Sequence, residues 1–180
     1  MGVREFPQTD RLRVGLVWQG NPAHPNDRNR SLPLSALFGP LAKLHDADFI
    51  YLQVDDAQSQ AKSIQAIRSD FEFVSFADAA AVLSVIDLLI SADTSTLHLA
   101  GALGCPAWGL LPYAPDWRWM LKRRDSLWYQ ILVLFRQPYA RNWSAVAEEV
   151  TEALPAFAGA HRWAIDVELS YRQRAHGQGS

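Results

Sequence analysis

Residues 87–111 constrain this chain more than any other stretch. They read as an apolar strand over 87–91, a polar turn at Asp93 and Thr94, a small-residue helix that ends at Gly104, and a second apolar strand over 107–111. Strands joined through a helix that packs back on them run parallel, because the connection is far longer than a hairpin turn. The same alternation continues on either side. Runs at 12–18, 48–53, 71–75 and 131–135 read as further strands. Helical spacing covers 34–44, 55–68, 77–85 and a last segment to about Leu154. The strands are apolar throughout rather than alternating, as expected of a sheet covered on both faces. The fold class is therefore α/β: a doubly wound, mostly parallel sheet of about six strands with helices on both faces.

Local signals fill in this frame. Ser31 stands where it would cap the helix from Leu34, and Gly39-Pro40 would kink that helix or restart it. Asn142 or Ser144 would cap the last one. Gly101 and Gly104 would let their helix approach the sheet closely. Residues 11–154 form one domain, preceded by an extension over 1–10 and followed by one over 155–180, where the pattern weakens and partial disorder is expected.

Composition excludes several classes. A net charge of −2 over 180 residues argues against a general nucleic-acid binder. No apolar run approaches the roughly 18 residues of a membrane span, and residues 1–10 lack a signal-peptide core, so the cytoplasm is the expected location. A single cysteine, Cys105, rules out an internal disulfide or a cysteine-cluster zinc site and reads as a small apolar residue rather than a nucleophile. Strand one leads into Gln19-Gly20-Asn21-Pro22, not a glycine fingerprint for a dinucleotide, and neither a P-loop nor a Gly-x-Ser-x-Gly elbow occurs.

Ligands of such sheets bind beyond the carboxyl ends of the strands, where three loops fall. The turn Asp93-Thr94-Ser95-Thr96 offers free N–H groups and three hydroxyls at a helix start, and could hold a diphosphate; it could equally be a helix capped by Asp93 or Thr94. His98, one turn on, is either a ligand or a packed helical residue. In the long loop over 19–33, Arg28 and Arg30 suit phosphate if they face Thr94 and are solvated charges if they do not. The loop over 112–129 carries Tyr113, Asp116, Trp117, Arg118 and three of the seven tryptophans, with a fourth, Trp108, just before it. It could stack a nucleobase and bind a sugar, or pack as a lid; its Lys122-Arg123-Arg124 run reads as a solvated face. Gln53, at the end of strand two, points to the same region or merely holds a loop.

Four motifs in order then resemble a known family. Residues 14–22, 28–33, 93–104 and 111–119 together look like the C-terminal domain of glycosyltransferase family nine, the heptosyltransferase-like family, in the version found at the C-terminus of bacterial tetratricopeptide-repeat proteins. The resemblance implies one Rossmann-like half of a GT-B enzyme, the half that binds a nucleotide-diphosphate sugar, with no metal or other cofactor. It implies that residues 93–98 cradle the donor diphosphate, that Arg28 or Arg30 contacts phosphate, and that Gln53, Tyr113, Trp117 and Arg118 approach the base or sugar. Ser95 stands where heptosyltransferases carry glycine. The acceptor half, which supplies the catalytic carboxylate, has no counterpart here, so it would be a separate domain or protein; Asp116 is the one local candidate. A Trp-rich cleft without that half would favour self-association into a homodimer. The rival expectations are a non-catalytic interaction domain using the Trp-rich loop, and a nucleotide-sugar epimerase-like enzyme.

Overall fold

The computed structural model describes residues 10–53, Gln60, 67–68 and 75–177, with backbone alone for 67–68 and 166–177. Six parallel strands form one sheet: β1 Leu12–Val17, β2 Ala47–Tyr51, β3 Ile67–Arg68, β4 Leu88–Ala92, β5 Ala107–Leu111 and β6 Leu132–Arg136. Their spatial order is β3-β2-β1-β4-β5-β6. β1 pairs with β2 on one side, Val14 beside Phe49, and with β4 on the other, Val14 beside Leu88. That order reverses direction between β1 and β4, which makes the gap beyond their carboxyl ends the switch point where doubly wound sheets bind ligands.

Among the described residues, helices α1 Asp27–Arg30, α2 Leu34–Leu41, α3 Phe76–Leu83, α4 Ser95–Leu103 and α5 Trp143–Gly177 accompany the sheet. The two-residue period of the strands sorts their side chains between two cores. Val14, Leu16, Leu88, Ile90, Trp108 and Leu110 meet α2 and α5 on one face. Val17, Leu89, Ala107, Leu111 and Leu134 meet α3, α4 and Trp119 on the other. Close approach of α4 to the sheet depends on Gly109 of β5, where a Cβ would lie 3.0 Å from Leu97 Cδ2. Gly101 and Gly104 have other roles. Gly101 makes room for the ring of Tyr129, and Gly104 ends α4 in the left-handed conformation at φ 75°.

Several local expectations need correction. Residues 67–68, placed in a helix, instead form the edge strand β3, while residues 71–74, expected as strand three, lie outside the described residues, as does most of the expected 55–68 helix. Ser75, assigned to that strand, is the N-cap of α3 in a reciprocal capping box with Asp78. Ser31 does not cap α2, which starts after Pro33; its hydroxyl is bound instead to Gly20 N–H and Asp27. Pro40 is accommodated inside α2. Asn142 is the cap of α5, accepting from the Ala145 N–H.

The last helix does not stop near Leu154. It runs through Pro155 to Gly177, although an interior proline typically costs ~3 kcal/mol. Contacts beyond the proline offset that cost. Phe157 packs edge-on against Trp108 at 5.7 Å, and His161 Nε2 reaches Asp87 Oδ1 at 3.1 Å. The same carboxylate accepts the Arg13 N–H at 2.7 Å, so the helix is tied to the amino end of the sheet. Among the described residues no helix is long and apolar enough to cross a membrane.

Candidate functional site

At the switch point the loops after β1, β4 and β5 surround a cleft of about 390 Å³ lined by His24, Asn26, Arg30, Asp93, Thr94, Ser95, His98, Pro115, Asp116 and Arg118. The loop after β1 is compact because its ends meet, Leu32 N–H donating to Trp18 O. Inside it a chain of contacts runs from Gly20 N–H to Ser31 Oγ, from that hydroxyl to Asp27 Oδ1, and from Asp27 to Arg30 Nε at 3.5 Å. Arg30 then crosses to the next loop, where Nη1 donates to the Asp93 carbonyl at 3.0 Å. Its guanidinium lies in a slot over Gly20, whose missing Cβ would sit 2.6 Å from Nη2. Arg30 is thus held by two loops while its remaining N–H groups line the cleft. Arg28, one side of the same short helix away, is exposed and outside the lining.

The turn after β4 is not a side-chain-capped helix start. Thr94 occupies the N-cap position, yet its hydroxyl makes no cap bond. It pairs with Ser91 Oγ at 3.1 Å, and since Ser91 donates to the Ala92 carbonyl, the Thr94 hydroxyl is the donor of that pair. Leu97 and His98 N–H groups turn back to the Thr94 carbonyl. The N–H groups of Ser95 and Thr96 are left without a protein acceptor among the described residues, at the positive end of the α4 dipole. Thr96 itself is half-buried and does not line the cleft, whereas Ser95 does.

His98 stacks on Trp119 with ring centroids 5.1 Å apart and an interplanar angle of 22°. Its Nδ1 lies 3.1 Å from the Tyr129 hydroxyl, and its Nε2 3.9 Å from Asp93 Oδ1. Burial pushes the imidazole pKa below its ordinary value; Arg118 adds to that and Asp93 and Asp116 oppose it. A histidine harder to protonate when folded contributes stability that is complete above pH 6.5 and is lost as pH falls through the folded value. Denaturant titrations across pH should therefore show stability declining below about pH 6.5, with a shallower decline in His98→Gln. An equal decline in both proteins would assign the effect to other groups.

Pro115 and Asp116 close the cleft from the loop after β5. Asp116 starts the single 3₁₀ turn Trp117–Trp119, accepting the Arg118 N–H at 3.0 Å and pairing with Arg118 Nε at 3.2 Å. The turn is anchored from β6, Arg136 Nη2 donating to the Trp119 carbonyl. Tyr113 is exposed and outside the lining, its N–H held by Gln137 Oε1. Trp117 is exposed too and faces a neighbouring groove with Met120 and Leu121. Gln53 is buried below the cleft, its amide bonded to Trp18 N–H and to Gln19 N–H and carbonyl, so it secures the loop after β1. Cys105 is buried and its thiol pushed up to about 11, which keeps it protonated and unreactive.

Some participants carry no sequence signal. Gly20, Asp27 and Tyr129 act only through the partners the fold brings to them. His24 and Asn26 show in the sequence only as polar residues of a long loop. In the structure His24 Nδ1 accepts the Asn26 N–H, which leaves Nε2 as the protonated nitrogen of the neutral ring. The cleft is therefore rich in N–H donors, and its lining charges balance: Arg30 and Arg118 against Asp93 and Asp116.

The sequence matches no protein-family model and no curated protein. Solved structures do match. The E. coli heptosyltransferase WaaC, solved with ADP-2-deoxy-2-fluoro heptose, is 18% identical, with a TM-score of 0.59 over 83% of this chain and 44% of that one. E. coli ADP-heptose LPS heptosyltransferase II is 15% identical, with a TM-score of 0.62 over 86% of this chain and 49% of that one. The chain thus spans less than half the length of each. At these identities the likeness concerns architecture: the fold is a Rossmann-like α/β domain shared with heptosyltransferases.

Proposed function

We propose that this chain is the nucleotide-sugar-binding half of a GT-B glycosyltransferase and that the cleft at the switch point takes the donor diphosphate. One observation carries the reading. The α4 N-terminus is left uncapped by Thr94 just where Arg30 is fixed 3.0 Å from the Asp93 carbonyl. Free N–H groups, a helix dipole and a preorganised guanidinium converge there, as anion recognition requires. In this reading Ser95 and Thr96 N–H groups and Arg30 bind the diphosphate, and His98 and His24 add neutral donors. Arg118 exchanges Asp116 for a phosphate oxygen, which its exposed position permits. Such donors would stabilise a departing nucleoside diphosphate. Asp116 accepts the Arg118 backbone N–H as the cap of the 3₁₀ turn, and in this reading deprotonation of an acceptor hydroxyl falls to a group outside the described residues.

Calorimetry with ADP, UDP, GDP and their sugars tests the proposal. At least one should bind with a Kd in the micromolar to low millimolar range, about −4 to −8 kcal/mol. Absence of binding by every nucleotide at millimolar concentration would overturn it. A second reading rests on the groove of about 930 Å³ beside the cleft, where Trp117, Met120 and Leu121 are exposed: a non-catalytic domain that docks a protein there. A Trp117→Ala chain that loses a protein partner, in a protein that binds no nucleotide, would favour it.

A further inference from the structure

We propose that Tyr129 is a positioning residue, whose hydroxyl donates to His98 Nδ1 and so holds the imidazole in the Nε2–H tautomer, presenting a neutral donor to the cleft. The identity of the ligand rests on the diphosphate reading above; the tautomer does not.

Three contacts determine the ring. Trp119 fixes its plane by stacking at 5.1 Å. Tyr129 lies edge-on at 5.8 Å, with its hydroxyl 3.1 Å from Nδ1. On the opposite side Asp93 Oδ1 is 3.9 Å from Nε2. A neutral imidazole carries one proton, so one nitrogen donates and the other accepts. A bare Nε2 lone pair facing a carboxylate is repelled, whereas Nε2–H is attracted. The proton therefore sits on Nε2, and Nδ1 must accept. A tyrosine hydroxyl can supply that hydrogen bond; a carboxylate in its place could not, and would instead have drawn the proton to Nδ1 and favoured the charged ring.

The arrangement depends on Gly101. A Cβ there would lie 2.4 Å from Tyr129 Cγ, so only glycine lets the tyrosine ring lie against α4 and reach His98 one turn earlier. The charged or titratable groups that bear on His98 are Asp93, Arg118, Asp116 and Tyr129. Among them Tyr129 alone bonds the lone pair that protonation would consume. Its bond stabilises the neutral form, which keeps the site from adding a positive charge that Asp93 would capture. A ring paired with Asp93 would be unavailable to a ligand.

The test uses nitrogen-15-labelled histidine in the full chain, at a pH above the imidazole titration, with His98 identified by its absence in His98→Gln. Long-range proton–nitrogen spectra of the free wild type should show Nε2 protonated and Nδ1 shifted as a hydrogen-bond acceptor. In Tyr129→Phe, which keeps the ring against Gly101, Nδ1 should move to the position of an unbonded lone pair. The His98 titration midpoint should rise, because a bond favouring the neutral form has gone. ADP binding should weaken about 3- to 10-fold. A purely structural tyrosine would alter affinity without moving Nδ1 or raising the midpoint. Finding the proton on Nδ1 in the wild type, or a midpoint that stays or falls in Tyr129→Phe, overturns the proposal. Wild type that shows the assigned tautomer but binds no nucleotide overturns the diphosphate reading and leaves the assignment of the ring standing.

Discussion

Arg30→Ala should weaken ADP or ADP-sugar binding about 10- to 100-fold, the loss typical of a charge-assisted contact to a phosphate. The side chain is well placed to have such an effect because its geometry is set before any ligand arrives. Asp27 pairs with Nε, the Asp93 carbonyl accepts from Nη1, and Gly20 leaves the slot in which the guanidinium rests. Arg28→Ala, three-dimensionally outside the lining, should leave affinity within about twofold. Gly20→Ala provides the sharper comparison. Its backbone is not in the left-handed region, so alanine is tolerated there, but the new Cβ would stand within 2.9 Å of Arg30 Nη2, Cζ and Nε. The guanidinium, at the end of a flexible side chain, must move. Stability should change by less than about 1 kcal/mol, while affinity falls nearly as far as in Arg30→Ala. Because the two changes act through one group, the double variant should bind no worse than Arg30→Ala alone. Calorimetry on the four proteins decides it; equal binding by Arg30→Ala and wild type would remove Arg30 from the site.

Trp119→Ala should lower the unfolding free energy by about 3–5 kcal/mol, as measured by denaturant titration followed by circular dichroism. Trp119 is 1% exposed and belongs to the core under α3 and α4. It is also the plate on which His98 stacks, and its carbonyl is gripped by Arg136. A loss of that size is a large part of the total for a domain of this length. Trp119→Phe should keep most of the stability and an aromatic surface for His98. Trp117→Ala, two residues earlier but 69% exposed, should change stability by no more than about 0.5 kcal/mol. A stability loss in Trp117→Ala equal to that in Trp119→Ala would contradict the packing of this loop.

These two tryptophans show where sequence reading reaches its limit. In a single 3₁₀ turn the residues i and i+2 point in different directions, but without knowing where the turn rests on the sheet nothing distinguishes them. Trp117 was therefore the expected ligand contact, whereas Trp119 is the one that supports a cleft residue. Arg28 and Arg30 posed the same ambiguity, resolved only by the carbonyl of Asp93, sixty-three residues away. The helix after Leu154 failed for a related reason: the proline is a local signal, whereas the contacts of Phe157 and His161 that override it are distant in sequence. Ile67 and Arg68 form an edge strand of two residues, too short for any periodicity to register.

The sequence by itself determined the class of fold and pointed to the carboxyl end of the sheet as the place to look for a ligand. Apolar runs of five residues, helices between them and a polar turn after the fourth strand are local patterns, and burial of both sheet faces permits few other arrangements of them. It also pointed to Asp93, Thr94 and His98 as candidates, since hydroxyls and small residues at a helix start are legible in one dimension. The tertiary structure decided what those residues can do. It turned the Thr94 hydroxyl toward Ser91 and left the helix start open, seated Arg30 over Gly20, and set His98 between Trp119, Tyr129 and Asp93. Each of these outcomes depends on distances between groups far apart in the chain, and hydrogen bonds and van der Waals contacts act only where packing has first brought such groups within a few ångströms.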